Sequence, residues 1–162
     1  MSFIFMVPGL PVIYQGDEFG MPGANDPDNR RPMRFAGERL PNERWLASQV
    51  GKLGRLRRCH RGLRAGALRP IFVSQERLAL ARGAGEELAL LLIERATEEG
   101  PTQLPLPTDA QEIESWLDIF SGETYEGGKE ALSWATPSPF TARLLVSEGH
   151  RCARASQRSR EQ

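Results

Sequence analysis

PGLPVIYQGDEFGMPGANDPDNRRPMRF, residues 8–35, joins a short apolar run to a stretch in which glycine, proline, asparagine and charge alternate. Val12, Ile13 and Tyr14 sit between a Pro-Gly-Leu-Pro turn and Gly16, so breakers bound them on both sides and a strand is expected. Apolar side chains at successive positions point to both faces, the pattern of a parallel sheet covered by helices. Tyr14 is expected in that core. Roughly 25 residues of loop then run from Gly16 to Pro41, longer than a plain connection and in the range of functional loops. Within it, proline pushes Asp26 into an extended conformation and Pro27 and Asp28 suit the centre of a turn, which brings Asp26 towards Arg30.

Beyond the loop the periodicity is helical. Leu46, Val50, Leu53 and Leu56 recur on one side between Glu43 and Gly62, Arg55, Arg58 and Arg61 on the other, with Asn42 a candidate N-cap. The arginines are expected on a solvated face, since glycines interrupt them and no aromatic residues interleave. From Pro70 the period changes: IFVSQ, RLALAR, ELALLLIER, QLPLP, WLDIF, ALSW and FTARLLVS are short runs separated by turn residues, an antiparallel all-β pattern. The tail RCARASQRSREQ is too polar to repay the entropy of ordering.

The chain has 162 residues, a formal net charge of zero, 40% hydrophobic and 26% charged residues, a soluble globular composition. Neutral balance argues against nucleic acid or an anionic membrane as the main partner. No apolar run approaches the roughly 20 residues a bilayer crossing needs. Cys59 and Cys152 form no CxxC pair, so neither a zinc site nor a disulfide framework is indicated, and a reducing, cytoplasmic compartment is the default. No metal and no cofactor are implied.

In order, Pro-Gly-x-Pro, the run VIY, Gly16, Glu18 and Asn25-Asp26-Pro27-Asp28-Asn29-Arg30 resemble the α-amylase superfamily (glycoside hydrolase family 13) at the eighth barrel strand and the loop after it. The arginine-bearing helix is similar to the last barrel helix, and WLDIFSGETY to a segment of the family's C-terminal sandwich, domain C. The resemblance implies an α+β chain: residues 1–66 the end of a (β/α)₈ barrel, 67–148 the sandwich, and 149–162 a disordered tail. It implies an α-glucan or malto-oligosaccharide substrate and, as partner, the rest of the barrel.

The same resemblance implies site residues. Barrel chemistry sits on the loops after the strands, and the family's matching Asp and Arg contact glucosyl units on the non-reducing side of the cleaved bond. That role is carried to Asp26 and Arg30, with a loop-shaping salt bridge as the alternative. Glu18, Gly16 and Tyr14 are expected to support the loop, Glu18 through backbone N–H groups or an arginine. Retaining hydrolysis needs two carboxylates roughly 5 Å apart, which the family places on earlier strands. No catalytic residue is therefore expected here, and whether the chain is itself an enzyme stays open. The other reading is a stand-alone β-sandwich module binding glucan or a protein, with Trp116, Tyr125, Trp134 and Phe140 as candidate stacking surfaces.

Overall fold

A computed structural model describes residues 1–95, 102–134 and 140–153. Among the described residues eight antiparallel strands form the centre: β1 (Leu68–Val73), β2 (Arg77–Arg82), β3 (Ala89–Glu94), β4 (Thr102–Pro105), β5 (Ser115–Asp118), β6 (Thr124–Glu126), β7 (Ala131–Trp134) and β8 (Thr141–Ser147). Six of them make one sheet in the order β1-β2-β3-β8-β5-β6, and β4 pairs with β7 in a second. Each apolar run noted above lands on a strand. The three-residue β6 is too short to give a periodic signal and has no counterpart among those runs.

β3 explains why ELALLLIER reads as continuous rather than alternating. Leu91 points into a core shared with helices, whereas Leu90 and Leu92 point into one shared with Leu104 and Leu132 of the second sheet. Both faces of the six-stranded sheet are thus covered, and alternation of side chains puts leucine on each.

Three helices cover the first face: α1 (Ser2–Met6), α2 (Pro41–Cys59) and α3 (Arg61–Ala65). α2 starts with proline, whose missing N–H costs nothing at the first helical position. The carboxylate of Glu43 accepts the Leu40 N–H at 2.8 Å, so the cap is Leu40 with Glu43, not Asn42. Val50, Leu53 and Leu56 are buried against Leu80, Leu91 and Leu144. Arg57, one of the arginines of this helix, is buried rather than solvated.

The structure bears on three expectations here. The boundary drawn between residues 66 and 67 runs through a single core, because Phe5, Met6, Leu53, Leu56 and Leu63 pack with side chains of β2, β3, β5 and β8. Cys59 and Cys152, 93 residues apart, form a disulfide with Cα atoms 5.6 Å apart, which removes the ground for expecting a reducing compartment. The tail expected to be disordered from 149 is packed as far as Ala153, since Cys152 and Ala153 are buried in the same core; residues 154–162 lie outside the described residues. No helix among the described residues is long and apolar enough to cross a membrane.

Candidate functional site

The approach to the loop is fixed from below by two buried arginines. The guanidinium of Arg57 donates to the carbonyls of Phe5, Val7 and Gly9, and that of Arg82 donates to Met6 and Val7, both at 2.7 Å. Carbonyls at the end of α1 thereby gain the partners that buried backbone requires. Burial pulls both guanidinium pKa values down, as desolvation of a charge must.

Residues 12–14 belong to no helix, strand or sheet. Ile13 packs on the helix-side core, while Val12 and Tyr14 are exposed, Tyr14 by 55%. The expectations of a strand at VIY and of Tyr14 in its core are therefore corrected. A central strand needs neighbours on both edges, and no described strand lies beside this one. The (β/α)₈ part of the expected fold is accordingly represented by helix and loop, and the described strands are all antiparallel.

Gly16 turns the chain with φ +91, a region open to glycine, and a Cβ there would come within 2.7 Å of Met21. Its N–H donates to Glu18 Oε2 at 3.0 Å, and Glu18 Oε1 lies 3.6 Å from an Arg39 nitrogen. Glu18 thus bonds both a backbone N–H and an arginine. Phe19, which sequence reasoning passed over, is the anchor of this turn: it is 1% exposed, with the Arg39 guanidinium 4.1 Å from its ring centre.

Asp26 and Arg30 do meet. Arg30 Nε lies 3.0 Å from Asp26 Oδ1 and its Nη2 3.0 Å from Oδ2, a two-pronged pair that leaves the side chains 70% and 61% exposed. The turn that joins them is displaced by one residue from the expected place. Asp28 N–H donates to the Asn25 carbonyl at 2.8 Å, so Asp26 and Pro27 occupy the centre, with a cis peptide between them, and a second turn closes from Arg30 N–H to Pro27. Asp28 holds the loop together: it accepts from Ala24 N–H at 2.8 Å and Arg31 Nε at 2.7 Å, and those bonds hold its carboxyl below the usual range, Arg31 first. Arg31, without a role in the sequence reading, is the other half of that clasp.

A guanidinium has five N–H groups, and Asp26 takes two of Arg30's, so three are left for a ligand while each Asp26 oxygen keeps acceptor capacity. The pair presents donors and acceptors side by side to solvent, the complement of vicinal hydroxyls. The aromatic candidates fare differently. Trp116 is wholly buried, Tyr125 is bonded to Glu123 and Arg143, Phe140 is exposed, and the side chain of Trp134 lies outside the described residues. Residues 8–40 contain no histidine or cysteine. Among the described residues the group able to hold a metal ion is His60, Glu87 and His150, on the body of the molecule.

A helix-backed antiparallel sheet, entered through a glycine turn and an Asp-Pro-Asp-Asn-Arg loop, is the C-terminal region of α-amylase-type enzymes, and the chain belongs to that family of glycoside hydrolases. Cyclomaltodextrinase of Geobacillus thermopakistaniensis (strain MAS1) is 34% identical over 142 residues, covering 85% of this chain and 23% of that protein. Neopullulanase 2 of Thermoactinomyces vulgaris is 31% identical over 139 residues, with the same coverage of 85% and 23%. Among solved structures, Ttha1563 from Thermus thermophilus superposes with a TM-score of 0.74 at 29% identity, covering 90% of this chain and 30% of that one. The α-amylase of Geobacillus thermoleovorans, solved with acarbose, shares the fold at a TM-score of 0.71 and 24% identity, covering 90% of this chain and 31% of that one. The chain spans about a quarter of the length of the curated relatives it matches. No protein-family model matches it.

Proposed function

We propose that this chain is the C-terminal portion of an α-glucan- or malto-oligosaccharide-acting hydrolase or transglycosylase, and that its loop forms one wall of the substrate cleft. Asp26 and Arg30 grip hydroxyls of glucosyl units on the non-reducing side of the cleaved bond. Glu18, Gly16 and Tyr14 support that wall, Glu18 by bonding the turn that Gly16 makes. In this reading residues 1–66 derive from a barrel and 67–148 from a sandwich, a division of origin across one shared core.

The supporting observation is the exposed two-pronged Asp26–Arg30 pair. The relative named for cyclomaltodextrin chemistry favours the same substrate class. Glycosidic cleavage with retention needs a nucleophilic carboxylate and a carboxylic acid roughly 5 Å apart. The loop carboxylates of Glu18, Asp26 and Asp28 are each paired with an arginine. In this reading the reacting pair belongs to a barrel segment outside this sequence, and the chain by itself serves binding rather than turnover. Of the three candidates whose side chains are described, the stand-alone glucan-binding reading keeps Phe140 as an exposed aromatic.

The purified chain should release no reducing sugar from maltodextrin; turnover by rigorously purified material would sink this assignment. In a full-length enzyme that carries this loop, Asp26→Ala or Arg30→Ala should raise KM for maltodextrin about ten- to a hundredfold, the worth of a hydrogen bond to a charged group. An unchanged KM would reduce the pair to a loop clasp.

A further inference from the structure

His60 stands at the junction of α2 and α3, Glu87 in the turn before β3, and His150 in the turn after β8. One nitrogen of each imidazole and one Glu87 oxygen all lie within 4.8 Å of one another, and the ring centres are 4.6 Å apart. Nothing in the spacing 60, 87, 150 announces this group; the disulfide beside it and the β2–β3 turn bring it together.

His60 Nδ1 accepts the Leu63 N–H at 3.3 Å, so that nitrogen carries no proton, and its lone pair turns to an ion when that bond is given up. It nevertheless lies 3.5 Å from Glu87 Oε2, another acceptor. Two acceptors face each other in a site where His60 is fully buried, and the ring's Nε2 is buried without a partner. A cation placed between the two acceptors would relieve this opposition. A neutral imidazole is a metal ligand. His150 Nε2 lies 3.3 Å from Glu87 Oε1 and completes a set of two nitrogens and one carboxylate.

We propose that His60, Glu87 and His150 bind a divalent transition-metal ion of the zinc class, with water in the remaining position. Imidazole with carboxylate suits zinc and its neighbours, whereas calcium and magnesium prefer all-oxygen sites. The Glu87 side chain is 35% exposed against 8% for His150, so ion and water enter past Glu87. Its carboxylate is oriented by the Gly62 N–H at 3.1 Å, an outer bond of the kind that holds metal ligands in place. A Cβ at Gly62 or Gly83 would fall within 1.8 or 2.0 Å of the Glu87 carbonyl oxygen, so the turn is pressed onto α3 and cannot drift. Ligation through Nε2 of His150 moves its ring proton to Nδ1 and gives up a 3.2 Å contact with Cys152 N–H. The bound ion ties the helix junction to the C-terminal turn, beside the Cys59–Cys152 bond.

The test uses the full oxidised chain, stripped with a chelator and titrated with zinc and, separately, with cobalt. One equivalent of cobalt should bind with visible ligand-field bands of a low-symmetry site, zinc should displace it, and zinc in about hundredfold excess over its Kd should raise Tm by several degrees. Glu87→Gln and His150→Gln, checked for folding by circular dichroism, should each weaken zinc binding at least about tenfold. Wild-type protein without cobalt bands and without a zinc-dependent Tm overturns the proposal even if both variants misfold. Binding that survives both substitutions unchanged overturns it as well.

Discussion

Arg30 and Arg82 are the same side chain in two settings. On the rim, Arg30 keeps 70% of its side chain in water and meets a carboxylate four residues away. In the body, Arg82 is 2% exposed, and its guanidinium serves the backbone carbonyls of Met6, Val7, Arg64 and Gly66. The buried fork has its capacity absorbed by the chain, and losing it would strand carbonyls. The exposed fork contributes about 0–1 kcal/mol to stability, as surface pairs do, and keeps donors for something else. Stability is thus concentrated in the helix-backed sheet, and the exposed Asp26–Arg30 pair on the rim can be changed without unfolding what lies beneath.

Removing the disulfide should have the largest effect on that division. Cys59→Ser with Cys152→Ser frees a loop whose ends are 93 residues apart, and the chain-entropy account puts the cost at about 4–5 kcal/mol. Chemical denaturation of the double variant measures it. A loss confined to residues near the C-terminus, seen by hydrogen exchange, would show that the body is less cooperative than its shared core implies.

Leu56→Ala comes next, at about 2–5 kcal/mol, because Leu56 is wholly buried where α2 meets the sheet. If helix and sheet were separate units, this substitution would melt the helix and leave the sheet transition in place. One core predicts a single lower transition.

The elements were legible where a local pattern is enough. The 3.6-residue repeat of Val50, Leu53 and Leu56 marks α2, and turn residues mark most strands. The Asp26–Arg30 pairing could be foreseen because the residues are four apart around a proline turn. VIY misled for the opposite reason: its side-chain pattern suits a strand, but strand pairing depends on neighbours that a short segment does not carry. The disulfide, the burial of Arg57 and Arg82, and the His60–Glu87–His150 group all depend on contacts between distant positions. An arginine bound for carbonyls across the core looks, in sequence, like one bound for solvent.

A smaller effect is expected at the seam between rim and body. The Leu40 N–H, and after it Arg34, hold the Glu43 carboxyl below its ordinary value of 4.5. With the folded pKa below the unfolded one, the stabilisation is full above the unfolded value and is lost as pH falls through the folded one. Glu43→Gln should therefore lower Tm at neutral pH by less than Leu56→Ala does. The gap between variant and wild type should close as the solution is acidified, and a gap independent of pH would assign Glu43 no electrostatic part in starting α2.

The smallest effect on stability belongs to the rim, and it separates the two regions most sharply. Asp26→Ala removes one half of an exposed pair, so its cost to unfolding should stay within about 1 kcal/mol. Arg30→Ala should match it, and the double variant should cost no more than the singles combined, since each partner left behind is solvated. Asp28→Ala provides the contrast inside the rim itself. Asp28 joins Ala24 N–H to Arg31, so its loss should loosen residues 24–31, seen as faster amide exchange there, with little change in Tm. If Asp26→Ala instead lowered Tm as far as Leu56→Ala, the rim would be part of the core's cooperative unit, and its exposed hydrogen-bonding groups could no longer be regarded as free for sugar.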